Sequence, residues 1–186
     1  MRLALLILGL VMLAPRAQAA APAHWSVDPG SKLGFQGRMN GDVFNGVFKR
    51  WTADIAFDPK HVASAKVVVT VDVGSAATGD ADRDQAMPTA DWFAAQKFPK
   101  AVFTTSAIKD LGGGKYLATG DLAIRGAHKP LTLPFTLAIT GDTARMNGAV
   151  TLNRTAFGIG QGKWSTKDVV DTSVAVNVAL VAHRAH

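Results

Sequence analysis

From Lys66 the chain reads KVVVTVDV, which sets Val67, Val69, Val71 and Val73 on one face and Lys66, Thr70 and Asp72 on the other. A period of two residues is the repeat of a strand, and β-branched residues favour the pleated surface. The same alternation recurs along the chain. Leu33 and Phe35 show it, as do Trp51, Ala53, Ile55 and Phe57, and then Leu131, Leu133, Phe135, Leu137 and Ile139. It returns at the end in Val174, Val176, Val178 and Leu180. Gly, Pro, Asn and Asp clusters separate these runs, among them Asn40-Gly41, Asp58-Pro59, Gly112-Gly113-Gly114 and Gly141-Asp142. About eight strands with short connections predict an all-β chain, an antiparallel barrel or sandwich.

The stretch DADRDQAMPTADWFAAQKFP, residues 80 to 99, breaks this rhythm. Thr89 is suited to cap a helix starting at Ala90, Asp91 to its first turn, and Pro99 to limit its length. A two-turn helix near residues 89–96 is therefore expected. It is too short to persist alone, so packing through Trp92, Phe93 and Phe98 must hold it. At the other extreme, Arg2, the apolar run Leu3 to Ala14 and the small-x-small triplet Ala17-Gln18-Ala19 have the pattern of an export signal cleaved near Ala19. That run is shorter than the roughly 20 residues that cross a bilayer. The expectation is a leader over residues 1–19, a periplasmic location, and one soluble domain over residues 20–186.

The chain has no cysteine, so disulfides, thiolate metal sites and cysteine nucleophiles are excluded. Setting aside Arg2 and Arg16 leaves 18 basic against 14 acidic residues, a net charge of +4. The basic residues are dispersed and form no patch for nucleic acid, although transient contact with an anionic membrane surface is compatible with the charge. Asp80, Asp82, Asp84 and Asp91 occupy positions one, three, five and twelve of a calcium loop. Gln85 stands where that loop needs glycine, and its last ligand is normally Glu, so a solvated acidic loop is the better reading. Gly158, Gly160 and Gly162 form GxGxG, but no strand-turn-helix context surrounds them, and a hairpin loop is expected instead. The histidines at 24, 61, 128, 183 and 186 show no metal-binding spacing, and no GxSxG elbow occurs.

Two longer segments resemble the signatures of the YceI-like family of exported polyisoprenoid-binding proteins. The first is Ala81-Asp82-Arg83-Asp84 followed by Thr89-Ala90-Asp91-Trp92-Phe93 and Lys97-Phe98-Pro99-Lys100-Ala101-Val102-Phe103. The second is Gly120-Asp121-Leu122-Ala123-Ile124-Arg125-Gly126-Ala127-His128-Lys129-Pro130. They follow a W-x-[IV]-D opening at Trp25 to Asp28 and precede an N-R-x-x-F-G-I segment at Asn153 to Ile159. The resemblance implies a lipocalin-like barrel whose interior holds a long isoprenoid chain, a polyprenyl phosphate or the tail of an isoprenoid quinone. It implies a binding or carrier module, with the lipid as ligand and no other cofactor. The first hairpin departs from the family, with Gly37-Arg38-Met39-Asn40-Gly41 where many members carry a histidine.

On this reading Phe35, Phe48, Val69, Val71, Phe103, Leu122, Leu133, Phe135 and Phe157 line the interior, and Trp92, Phe93 and Phe98 form a lid at its mouth. Arg83, Asp84, Arg125, Lys129 and Arg154 are the candidates for a polar head, with Lys163 a further cation. No residue is assigned a catalytic or metal-binding role. Two rivals stand beside this: an enzyme using Asp84 or His128 as acid or base in the same cavity, and a structural or partner-binding domain with a filled core. Monomer and homodimer are both compatible with the sequence.

Overall fold

The computed structural model describes residues 22–185, so the expected leader at residues 1–19 lies outside the described residues. Eleven strands, all paired antiparallel, make one sheet among them. They are β1 (His24–Val27), β2 (Lys32–Met39), β3 (Asp42–Phe48), β4 (Trp51–Ala56), β5 (Lys66–Asp72), β6 (Ala76–Ala77), β7 (Lys100–Gly112), β8 (Lys115–Ile124), β9 (Ala127–Thr140), β10 (Thr143–Asn153) and β11 (Ser173–Arg184). Neighbours in sequence pair from β7 through to β11, and β11 then bonds both β1, at Val27↔Ala182, and β2, at Leu33↔Val178. Similarly β4 pairs with β1 and β5, whereas β3 pairs with β2 and β6. The pairs β1–β2, β3–β4 and β5–β6 are thus three long strands, each broken once. With β7 to β11 they close an eight-stranded up-and-down barrel.

Hydroxyl side chains repair the irregular places. Pro29 interrupts the first long strand because it cannot donate to a ladder. Ser31 Oγ takes over there, accepting from Val181 N at 3.0 Å and donating to its carbonyl at 3.1 Å. At the β5–β6 break the buried Ser75 Oγ accepts from Arg50 N and donates to the Asp72 carbonyl. A bulge in β7 shifts the register between Thr105 and Ala107, and Thr105 Oγ1 exchanges two bonds with the backbone of Val67. Each leaves the ladder satisfied at a bend.

The core divides into two clusters. One end is packed by Trp25, Phe57, Ile108 and Tyr116 together with Ala118, Ala144 and Ala182. The other gathers Val73, Ala101, Leu122, Ile124, Phe157 and Ile159 beneath Trp92 and Phe93. At this second end β10 pairs with β9 only as far as Gly148↔Phe135, leaving β9 residues 127–134 without a partner on that side.

The helix lies earlier than the sequence suggests. Helix α1 spans Ala81–Ala86, capped by Asp80, whose Oδ1 accepts from Arg83 N at 3.0 Å. Residues 89–96 form successive turns instead. Pro88 follows the end of α1, Thr89 Oγ1 donates to the Ala86 carbonyl at 2.7 Å, and Ala94 takes a left-handed φ of 49° that no helix continues through. The acidic run is thus the capped first turn of α1, with Asp82 and Asp84 at the end a helix dipole favours for carboxylates.

Gly120 faces Thr105 at the β7 bulge, and a β-carbon there would collide with the Thr104 carbonyl and the Phe103 ring. Backbone cannot yield as a flexible side chain does. Gly120→Ala is expected to lower stability by about 2 kcal/mol, read as a lower urea midpoint. An unchanged midpoint would contradict this packing.

Candidate ligand-binding cavity

Between the two clusters the barrel is hollow. A cavity of about 480 Å³ occupies the α1 end, and a narrower one of about 130 Å³ the other end. Leu33, Val69, Phe103, Leu133 and Val178 line both, so the two meet along the barrel axis. The walls follow from the alternation: β9 turns Leu131, Leu133, Phe135 and Leu137 inward, and β11 turns Val174, Val176, Val178 and Leu180 inward.

Most of the expected apolar residues come together here. Phe35, Phe48, Val69, Val71, Phe103, Leu122, Leu133 and Phe157 line the larger cavity with Trp92 and Phe93, and Phe135 lines the narrower one. The Phe35 ring lies over Gly46 and the Phe44 ring over Gly37, so the first hairpin seats two aromatics across from glycines. Phe35, Phe48 and Phe93 form a chain of ring contacts at 5.2 and 6.0 Å that joins the wall to the turns above it. Phe98 lies off the cavity: its ring packs on Gly126 in the β8–β9 turn, beneath the Lys97 ammonium at 5.2 Å.

The polar candidates separate more sharply. Arg83 lines the mouth, its guanidinium 4.9 Å from the Phe44 ring centre and 3.5 Å from the Asp80 carboxylate. Asp84 does not line it. Its carboxylate accepts from Thr78 N and Oγ1 at 2.7 Å each and from Gly79 N at 3.3 Å. The bond from the Thr78 hydroxyl, then that from its backbone N–H, holds the Asp84 carboxyl below the usual carboxylate range. Arg125 is also off the wall. Seated at φ 52° in the β8–β9 turn, it donates to the carbonyls of Ala90, at 2.7 Å, Trp92, at 2.9 Å, and Gly158. Lys129 is exposed on the part of β9 that β10 does not reach, and Lys163 sits 4.6 Å from the Trp164 ring centre outside the cavity lining.

Arg154 lines the cavity yet is 3% exposed and bound by the protein itself. It donates to the carbonyls of Asp171, Ile159, Trp164, Thr166 and Val170 at 2.7 to 3.3 Å. Burial pushes its pKa down from the usual guanidinium value, with Asp171 acting the other way. The segment from Gly158 to Thr172 is therefore no hairpin loop but a flap wrapped on one guanidinium. Gly160, at φ 80°, is required because a β-carbon would strike that guanidinium. Gly160 N and Gln161 N both donate to the Asp91 carbonyl at 2.8 Å, stitching the flap to residues 88–98.

Several wall residues lie outside the expected set. Met39, Phe44, Met87, Trp164 and Val170 border the mouth with Asp80 and Asp82. Leu33 and Phe44 follow the strand alternation and were readable from it. Trp164 and Val170 sit in irregular backbone, where no periodicity marks an inward side. The Trp92 indole nitrogen is the one buried side-chain polar atom without a partner among the described residues.

Two outcomes follow. Arg154→Lys is expected to cost about 2 kcal/mol or more, because an ammonium cannot reach carbonyls spread around a planar fork; amide exchange of residues 158–172 should speed up first. Asp84 has a depressed folded pKa, so its contribution is present above the unfolded carboxylate value and fades as pH falls through the folded one, below about pH 4. Acid should therefore loosen α1 in the wild type, whereas Asp84→Asn should already be looser at neutral pH and show a smaller acid step. An acid step of undiminished size in the variant would contradict the assignment.

The YceI-like domain model matches residues 25–182. A UPF0312 protein of Pseudomonas savastanoi pv. phaseolicola is 29% identical over 183 residues, 93% of this chain and 94% of that protein. The crystal structure of Burkholderia cenocepacia BcnA superposes with a TM-score of 0.81 at 34% identity, covering 84% of this chain and 99% of that one. A polyisoprenoid binding domain from Saccharophagus degradans, implicated in plant cell wall breakdown, shares the fold at TM-score 0.70 and 14% identity, covering 88% and 99%. With a family model spanning nearly the whole described chain and strands closed into the same barrel, this protein belongs to the YceI-like family.

Proposed function

We propose that this protein binds a polyisoprenoid lipid in the barrel and carries it through the periplasm. The observation that carries the reading is the hollow itself, apolar along its length, with its charged wall groups Asp80, Asp82, Arg83 and Arg154 confined to one cavity at one end. Its size falls in the roughly 300–1,000 Å³ range of small-molecule sites. Burying a prenyl tail contributes about 0.8 kcal/mol per CH₂ before ordering costs. The family and the polyisoprenoid binding domain that shares the fold support the ligand class. The leader-like residues 1–19 support export. The filled-core alternative conflicts with the cavity, and neither Asp84 nor His128, the groups named for an enzymatic alternative, lines it. His128 pairs instead with Asp121 at 2.6 Å in an exposed position.

The head group is best read as uncharged. Arg125 and Arg154 are committed to backbone carbonyls, and Lys129 and Lys163 lie off the wall, so a phosphate at the mouth would meet Arg83 together with two carboxylates. A quinone or alcohol avoids that repulsion, and its oxygen would offer the Trp92 indole N–H an acceptor.

Organic extraction of the purified protein should release a prenyl lipid detectable by mass spectrometry, and the emptied protein should rebind one. A lipid-free extract together with no rebinding would contradict the carrier reading. Among ligands with the same tail, a prenol or quinone should bind more tightly than the phosphate, and Asp82→Asn should narrow the gap. Tighter binding of the phosphate would overturn the head-group assignment alone.

A further inference from the structure

We propose that the closed end of the barrel measures the tail, so that the protein selects isoprenoids by length; this rests on the lipid-binding reading above. The larger cavity continues into one of about 130 Å³ whose lining includes Trp25, Phe57 and Phe135, rings that belong to the packed cluster at this end of the barrel. These rings are braced from behind. Tyr116 stacks on Phe135 at 5.3 Å and 17° and meets Phe57 edge-on at 5.9 Å and 82°, while the Trp25 indole N–H donates to the Phe57 carbonyl at 2.9 Å. Trp25, Phe57 and Tyr116 are each less than a tenth exposed. Locked aromatic packing yields poorly to an extra methylene. It is a floor.

The depth follows from the strands. On β11 the wall runs from Val174 to Ala182, eight residues, or about 26 Å along the strand. Tilted by roughly 40°, that is about 20 Å along the axis. An extended chain advances about 1.2 Å per backbone bond, so an isoprene unit of four bonds spans roughly 5 Å. The axis therefore takes about four extended units. The tail enters from the α1 end, where the charged wall groups lie, and its terminal unit stops at the floor. Further units find no apolar wall ahead of them and stand outside the mouth, where they bury little. Small residues set how deep the floor lies, since Ala118, Ala144 and Ala182 leave the narrow part open.

The test is titration of the emptied protein with a homologous series of all-trans prenols, followed by tryptophan fluorescence. Affinity should rise about tenfold or more per unit, then level off at about four units. Ala144→Leu should move that levelling-off one unit shorter and Phe135→Ala one unit longer. Opposite shifts are a result that general destabilisation does not give. If Phe135→Ala does not fold, Phe135→Leu with Ala144→Leu carries the comparison. Affinity that climbs steadily through the series, or variants that weaken every length equally, would overturn the measuring role and leave lipid binding intact. No binding of any prenol would overturn both.

Discussion

Everything in this protein depends on how far side chains reach across a closed barrel. Eight strands give an interior just wide enough for side chains to fill or for one ligand to occupy. Here the bulky packing is placed at the ends. Trp25, Phe57 and Tyr116 fill one, and Phe157, Trp92 and Phe93 sit over the other, while Val69, Leu133, Val176 and Val178 wall the middle without meeting. A core split in this way folds around its two clusters and leaves the space between them to a guest.

The open end is held by backbone carbonyls gathered on two arginines. Arg125 fixes the turns at residues 88–98 from the β8–β9 hairpin, and Arg154 folds the flap at residues 158–172 onto itself. Guanidinium groups suit this work because their five donors are fixed in a plane and stay charged. The two segments then bond to each other through the Asp91 carbonyl. The cover over the cavity is thereby a polar construction on its outer side and an aromatic one within, with Trp92 and Trp164 at 5.7 Å and Arg154 5.4 Å from the Trp92 ring centre.

The strands and the inward faces were legible because a period of two residues states both at once, and the cavity lining on β5, β7, β9 and β11 follows from it. Other parts were not. The helix was expected at Thr89 because Thr89, Asp91 and Pro99 supply a cap, a first-turn acid and a stop, yet Asp80-x-x-Arg83 is itself a cap, Pro88 follows the end of that earlier helix, and the left-handed Ala94 keeps residues 89–96 in turns. Basic residues near the motifs were natural partners for a phosphate. Sequence could not show that Arg125 and Arg154 are consumed by carbonyls from segments up to 35 residues away, since backbone acceptors leave no mark in the amino-acid pattern. Phe98 and Lys129 were misplaced for a related reason: their side depends on turn geometry at Gly126 and on where β10 stops pairing with β9.

The most direct measurement is isotope-filtered NMR on the protein bound to a labelled prenol, reading which side-chain methyls lie within contact distance of the guest. Contacts are expected from Leu133, Val176 and Val178 to the middle of the chain, with its far end near Phe135 and its oxygen near the Trp92 indole N–H. Contacts confined to the outer wall, such as Val43 or Leu111, with none to those interior methyls, would contradict a lipid held within the barrel.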